Sequence, residues 1–344
     1  MVAIDEEAAG GRRRPIRWVL TVLLLATAVM AGLLIWNRHQ AAVAPEGCAV
    51  TPAGGKPVTM DIEQGSNAAT IAAVTISRGL PERALTIALA TSLQESKLRN
   101  LEGGDRDSLG LFQQRPSQGW GTAQQIQDPV YSTNKFLDAL VKVPGYARLP
   151  LTDAAQAVQK SGYPSAYAKH EANADMLALA LTGRAPASFT CTVHQLTPQD
   201  GIGVPAADAV SPSPAASPAA NPAQLVSDRV RREFGHAVTV APVTATGSAT
   251  PSADPGATAA DTLALTPDPT ANTDAGADAQ LQSGWAVAQW SVAHAQELGI
   301  GSVAFDGKAW RVDRSADGWK ALPAATATVT DRVLLTLGMP TSKH

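Results

Sequence analysis

Two cysteines, Cys48 and Cys191, are all that a chain of 344 residues carries, and they bracket the one segment that reads as a compact domain. Their state depends on the compartment, and the N-terminus speaks to that. Trp18 to Trp36 is an apolar run, Thr and Gly included. It comes close to the ~20 residues needed to cross a bilayer. Arg12, Arg13, Arg14 and Arg17 precede it and Arg38 follows. Basic residues stay on the cytoplasmic side. The expectation is a cytoplasmic tail over 1–17, a transmembrane anchor over 18–36 and an extracytoplasmic bulk: a single-pass protein of the cell membrane. The alternative is a cleaved signal peptide ending at Ala42-Val43-Ala44. The run exceeds the roughly 7–15 residues of a signal core, and Pro45 would follow the cut. Disulfides persist outside the cytoplasm, so a Cys48–Cys191 bridge is expected rather than unpaired or intermolecular thiols. Closing so long a loop stabilises by ~4–5 kcal/mol on the chain-entropy account.

Residues 48–191 read as mainly helical. Asn67 to Ser77 suits a helix capped by Ser66 or Asn67, with Gly79 past its end. Pro81 suits the first turn of a second helix, which carries Leu85, Leu89, Ser92, Leu93 and Ser96 on one stripe. Further helical segments are expected near 129–141, 152–160 and 166–182. Residues 192–224 include VPAADAVSPSPAASPAANPAQ, a disordered Pro/Ala/Ser linker unable to bury a core and long enough to hold two modules apart. Residues 225–344 form a small α+β unit with an internal low-complexity stretch over about 244–280. Within it, Trp285 to Leu298 reads as a helix stopped by Gly299. Ser302–Phe305 and Lys308–Val312 read as a hairpin around Asp306-Gly307.

A net charge of −3 offers no electrostatic footprint for nucleic acid. A single span without ionisable residues offers no transport path. HEANA, from His170, lacks the second histidine of a zinc helix. GIGVPA, from Gly201, lies in the linker without a βαβ unit, and DRDSLG, from Asp105, has leucine where a calcium loop needs oxygen. No cofactor and no metal are expected.

The chemistry concentrates in SLQESKLRNLEGGDRDSLGLFQQRPSQGWG, Ser92 to Gly121. Glu95 sits at a helix end, on the flank of the apolar stripe, where partial desolvation suits a general acid. Asp105 and Asp107 could position water or could brace a solvated turn. Gln113 could bind a substrate amide or hydroxyl, or brace its loop. Ser96 and Ser108 could orient Glu95, cap a turn or touch substrate. Trp120 could stack on a sugar or join the core.

Glu95-Ser96, the polar loop, and Gly110-Leu111-Phe112-Gln113 resemble the lysozyme-like lytic transglycosylases and goose-type lysozymes, over roughly residues 60–185. Phenylalanine stands where that superfamily carries methionine. A third element of that superfamily, a tyrosine facing the cleft, has candidates in Tyr163 and Tyr167. The resemblance implies a lysozyme-like domain that binds peptidoglycan strands and cleaves the β-1,4 bond between N-acetylmuramic acid and N-acetylglucosamine. Glu95 would be catalytic, and Ser96, Ser108, Gln113, Tyr163 and Tyr167 would bind substrate. Asp105 or Asp107 would be a possible second carboxylate. Activation of the sugar's own C6 hydroxyl would give an anhydro product, and activation of water a hydrolytic one. A non-catalytic peptidoglycan-binding or scaffold protein stays open beside this. The stretch from Gly284 to Val312 resembles a C-terminal module of secreted actinobacterial cell-wall proteins. Its D-H-x-x-G-R-A-x-D element is degenerate here, DPGATAAD at Asp254–Asp261, without the histidine. His236 and His294 read as isolated, and protein partners are unassigned.

Overall fold

The computed structural model describes residues 13–40, 44–52, 54–162, 164–198, 221–243, 262–272, 278–323 and 330–339. Helix α1, Arg13–Gln40, belongs to a unit of its own over Met1–Pro45. The transmembrane expectation fails here. Among the described residues no helix is long and apolar enough to cross a membrane. Helix α1 spans 28 residues, but Arg13, Arg14 and Arg17 at its start and Arg38 and His39 at its end confine its charge-free part to the middle. The anchor over 18–36 and the single-pass localisation built on it are therefore withdrawn.

The second unit, Glu46–His344, begins with strands β1 (Gly47–Val50) and β2 (Val58–Met60). Helix α2 follows over Ile62–Ser77, five residues ahead of the expected start. The cap is Asp61: its carboxylate accepts from the Gln64 amide, and the Gln64 side chain accepts from the Asp61 amide. That reciprocal pairing outcompetes Ser66 as a start signal. Pro81 caps α3 (Glu82–Glu95). Then come α4 (Ala123–Ile126), α5 (Pro129–Leu140), α6 (Leu151–Gln159), a 3-10 turn at Pro164–His170, and α7 (Glu171–Leu181). Strand β3 (Phe189–Thr192) returns to pair with β1 in the order β2-β1-β3. This register sets Cys48 directly opposite Cys191, and the two are bonded as a disulfide.

The residues beyond the linker are α8 (Pro222–Phe234), β4 (Val238–Pro242), β5 (Thr262–Pro267), α9 (Ala279–Ala293), α10 (Ala295–Leu298), β6 (Ile300–Phe305), β7 (Lys308–Arg311), β8 (Lys320–Ala321) and β9 (Val333–Leu337). The strands form one sheet ordered β4-β5-β9-β6-β7-β8. The expected hairpin is β6–β7, and Asp306 and Gly307 both take the positive φ that a two-residue turn needs. Strand β5 lies inside the stretch read as low complexity, because Leu263 and Leu265 fill the core. The linker expectation falls mostly on 199–220, outside the described residues. Its last residues start α8, with Asn221 as cap and Pro222 in the first turn.

Residues on either side of the linker share one hydrophobic core. Helix α9 runs through it, buried without interruption from Ser283 to Ala293. Three polar side chains tie the halves further. Gln289 of α9 donates to the Ala180 carbonyl and accepts from the Phe189 amide. Trp310 and Trp319 donate their indole N–H to the carbonyls of Cys191 and Phe189. The halves are therefore packed together, where composition suggested separation.

Within that core lies a cluster of charges. The Glu233 side chain of α8 is fully buried and accepts from Trp290 at 2.7 Å and from Thr70 of α2 at 3.0 Å. Arg229 reaches both Glu233 and Glu297 at 3.3 Å. His294 lies 2.5 Å from Glu297 through Nδ1 and 3.5 Å from Glu233 through Nε2. His294 is thus neither isolated nor solvated. Burial alone would push the Glu233 carboxyl up, but His294, Arg229 and Trp290 together hold it down to about 2. Burial alone would push His294 down, but Glu233 and Glu297 raise it above its usual 6.5.

The cluster stabilises the fold most where all four groups are charged. Glu233 has a lowered pKa, so its contribution is present above 4.5 and fades as pH falls toward 2. His294 has a raised pKa, so its contribution is full below 6.5 and fades as pH rises through the folded value. Urea unfolding followed across pH should give a stability maximum between these limits. His294→Gln should flatten the alkaline limb. Removing one partner strands the others, so Glu233→Ala should cost about 3–5 kcal/mol at neutral pH.

Candidate functional site

Glu95 is the last residue of α3, beyond a stretch buried continuously from Ala84 to Ser92. The helix is enclosed all round, so Glu95 does not ride the flank of a stripe. It emerges half-buried where the enclosed helix ends. The next turn is unusual: Lys97 and Leu98 both have positive φ, 57° and 61°. Such a backbone persists only when its surroundings over-determine it. Here Gln64 donates to the Lys97 carbonyl and Asn67 to the Leu98 carbonyl, both from α2. Arg99, next along, pairs with Asp61 and Glu63 at the start of the same helix.

The Gly110–Gln113 segment is pinned to this helix end. The Ser92 and Ser96 hydroxyls both lie within hydrogen-bond distance of the Leu111 carbonyl, at 3.1 and 2.8 Å. Ser96 is thereby buried in bracing. Gly110 has φ +73°, and a Cβ there would come 2.7 Å from the Ile126 carbonyl oxygen, so this position demands glycine. Phe112 points into the core and stacks on Phe136 with centroids 4.6 Å apart. Phe112 is therefore spent on core packing. Gln113 donates to the Gly110 carbonyl at 3.2 Å and crowds Gly104, holding the intervening loop closed. Trp120 packs against the core, its carbonyl accepting from Tyr131.

The two aspartates separate. Asp105 is exposed, with Arg106 at 4.0 Å. Asp107 accepts from the Ser117 amide at 2.8 Å and from Arg115 at 2.7 Å, and these bonds hold its carboxyl well below the usual range. Ser108 is buried in the same turn, its amide donating to the Asp105 carbonyl. Asp107 thus fastens the loop to the Arg115–Ser117 segment.

One partner comes from a distant part of the chain. Tyr167, on the 3-10 turn, is buried and donates its hydroxyl to Glu95 Oε1 at 2.7 Å. Burial first, and the neighbouring Glu95 second, raise the phenol's pKa, so it stays a donor. His170, at the end of that turn, meets Gln94 at 3.2 Å, and burial lowers its pKa below 6.5. Nothing in the sequence singled out this second pair. Tyr163 lies outside the described residues. Among the described residues no group of three or more His, Cys, Asp and Glu could hold a metal ion.

The family described as VldE, C-terminal domain, matches residues 219–332, from just before α8 to just before β9. No curated protein matches the chain. Glu95 and Tyr167 both lie outside the matched stretch.

The Tyr167–Glu95 bond has a direct readout. Ultraviolet titration should show a tyrosine that resists ionisation well above pH ~10. Glu95→Gln should bring its transition down, because the charge opposing deprotonation is gone. Tyr167→Phe should cost about 1–2 kcal/mol in urea unfolding, near the scale of a bond to a charged group.

Proposed function

We propose that the surface around Glu95 binds peptidoglycan strands and cleaves their β-1,4 bonds, with Glu95 as general acid and then base. The observation that carries this reading is the Tyr167 hydroxyl on Glu95 Oε1. The 3-10 turn meets this half-buried carboxyl directly, and the Gly110–Gln113 segment is fastened to the same helix end through Ser92 and Ser96. The tyrosine fixes one oxygen and leaves Oε2 without a partner among the described residues. Proton transfer needs a carboxyl oxygen held in position and open to the leaving oxygen.

In this mechanism Oε2–H protonates the glycosidic oxygen as the C1–O bond breaks. The cation that develops at C1 needs a negative or nucleophilic neighbour. Asp107 is a poor candidate, since Arg115 and Ser117 already occupy its oxygens. The substrate's own 2-acetamido oxygen is the better one. Glu95, now a carboxylate, then removes the proton from the attacking hydroxyl, and an attack by the sugar's C6 oxygen closes an anhydro ring. Water in its place would give a reducing end.

A second reading has its own support in the same bond. A carboxylate held through Oε1 by a phenol, with Oε2 open, can accept an acetamido N–H without any proton transfer. That reading is a peptidoglycan-binding surface without turnover.

Mass spectrometry of the soluble products from purified sacculi separates these readings. The first expects anhydro-muropeptides from the wild-type chain and a loss of about 10²–10⁴-fold in Glu95→Gln, with that variant still folded at the assay temperature. Sedimentation with sacculi but no product, in a folded chain, would leave the binding surface.

A further inference from the structure

A second cleft, of about 470 Å³, opens where the β1–β3 sheet meets the β7 strand and the turn after it. It shares no lining residue with the Glu95 site. Its volume lies in the ~300–1,000 Å³ range of small-ligand pockets. Thr51, Ser188 and Thr190 line one wall; the Ser188 hydroxyl donates to the Ala185 carbonyl, while Thr51 is exposed. Lys308, Asp317 and Trp319 form the other. The chain thus brings residues from both sides of the linker to one polar cavity.

Three features mark this as more than a crevice between packed parts. First, Lys308 and Asp317 are an unpaired cation and anion. Among the described residues neither makes an ion pair, and the Lys308 ammonium is steadied 5.6 Å over the Trp285 ring. A half-buried ammonium on an aromatic face is held ready for an anion. Second, Thr51 is exposed in the lining of the facing wall, so its hydroxyl is available to a polar ligand. Third, one wall carries a strained residue and the other a turn that needs glycine. Ala187 has φ +54°, and Gly318 combines φ +65° with ψ −149°, a region open essentially to glycine alone. A Cβ at Gly318 would stand 3.7 Å from the Thr190 hydroxyl oxygen, so the missing side chain leaves that wall open. Trp319 spends its indole N–H on the Phe189 carbonyl, so it offers the cleft apolar surface.

We infer that this cleft binds a short zwitterionic peptide, with Lys308 on its carboxylate, Asp317 on its ammonium and Thr51 on its backbone. The stem peptides of peptidoglycan have that chemistry, and assigning them as the source rests on the proposed function. The cleft would then hold the peptide side of the wall polymer while Glu95 works on the glycan.

Isothermal titration of the full chain with the tripeptide L-alanyl-γ-D-glutamyl-meso-diaminopimelate tests this. Saturable binding is expected. Lys308→Met and Asp317→Asn should each weaken it about tenfold or more, the scale of one charge-assisted bond. Thermal unfolding should stay unchanged in both, since both side chains reach solvent. Acetylating the tripeptide's amines or amidating its carboxyls should abolish binding. Saturation by chitotriose but not by the tripeptide would overturn the inference, as would tripeptide binding indifferent to both variants. Equal affinity for alanyl-alanine would keep the zwitterion and overturn the wall-peptide source. The test is independent of Glu95. Tripeptide binding without muropeptide release would overturn the proposed catalysis alone, and release without tripeptide binding would overturn this inference alone.

Discussion

A carboxylate without access to water holds the two halves of this protein together. Glu233 could not be buried alone, because an isolated charge in the interior costs several kcal/mol. It is tolerated because Arg229, His294, Trp290 and Thr70 converge on it from three helices. Thr70 belongs to α2 and the rest to α8 and α9, so the cluster is satisfied only when the residues beyond the linker are docked. Apolar burial around α9 supplies attraction without direction. The charge cluster supplies the register, since a slip of one turn would strand Glu233.

Helix α2 carries that constraint to the candidate site. Thr70 faces the charge cluster, while Asn67 and Gln64, one and two turns earlier, hold the Lys97–Leu98 turn. The strained turn under Glu95 is thus braced by the helix that receives the C-terminal half. On the other side, the Leu111 carbonyl locks the Gly110–Gln113 segment to the α3 end through Ser92 and Ser96. Glu95 is left as the side chain that these braces hold but do not use, apart from the one bond from Tyr167.

Local signals in the chain were strong where the chemistry is local. The Asp306-Gly307 hairpin and the helix ended by Gly299 follow from turn geometry, which needs no tertiary partner, whereas glycine at 110 is demanded by the approach of the Ile126 carbonyl. The Asp61–Gln64 cap was equally local and was overlooked for a nearer serine. The apolar run of α1 suggested an anchor, whereas no helix among the described residues is long and apolar enough to cross a membrane. Strand β5 was hidden in a compositionally simple neighbourhood, because its identity rests on pairing with β4 and β9.

The sequence by itself determined the paired cysteines, most of the helices, the hairpin and the candidacy of Glu95, since each rests on residue type and short spacing. Tertiary structure alone decided which neighbours those residues have. It chose Tyr167 as the partner of Glu95 across 72 positions of chain. It turned Asp107 inward to Arg115 and Ser117, made His294 part of a buried ion cluster, and joined the halves that a Pro/Ala/Ser run seemed made to separate. The physical reason is the same in each case. A hydrogen bond or ion pair between distant residues leaves no period in the chain, and it is worth forming only once a shared core has excluded water around it.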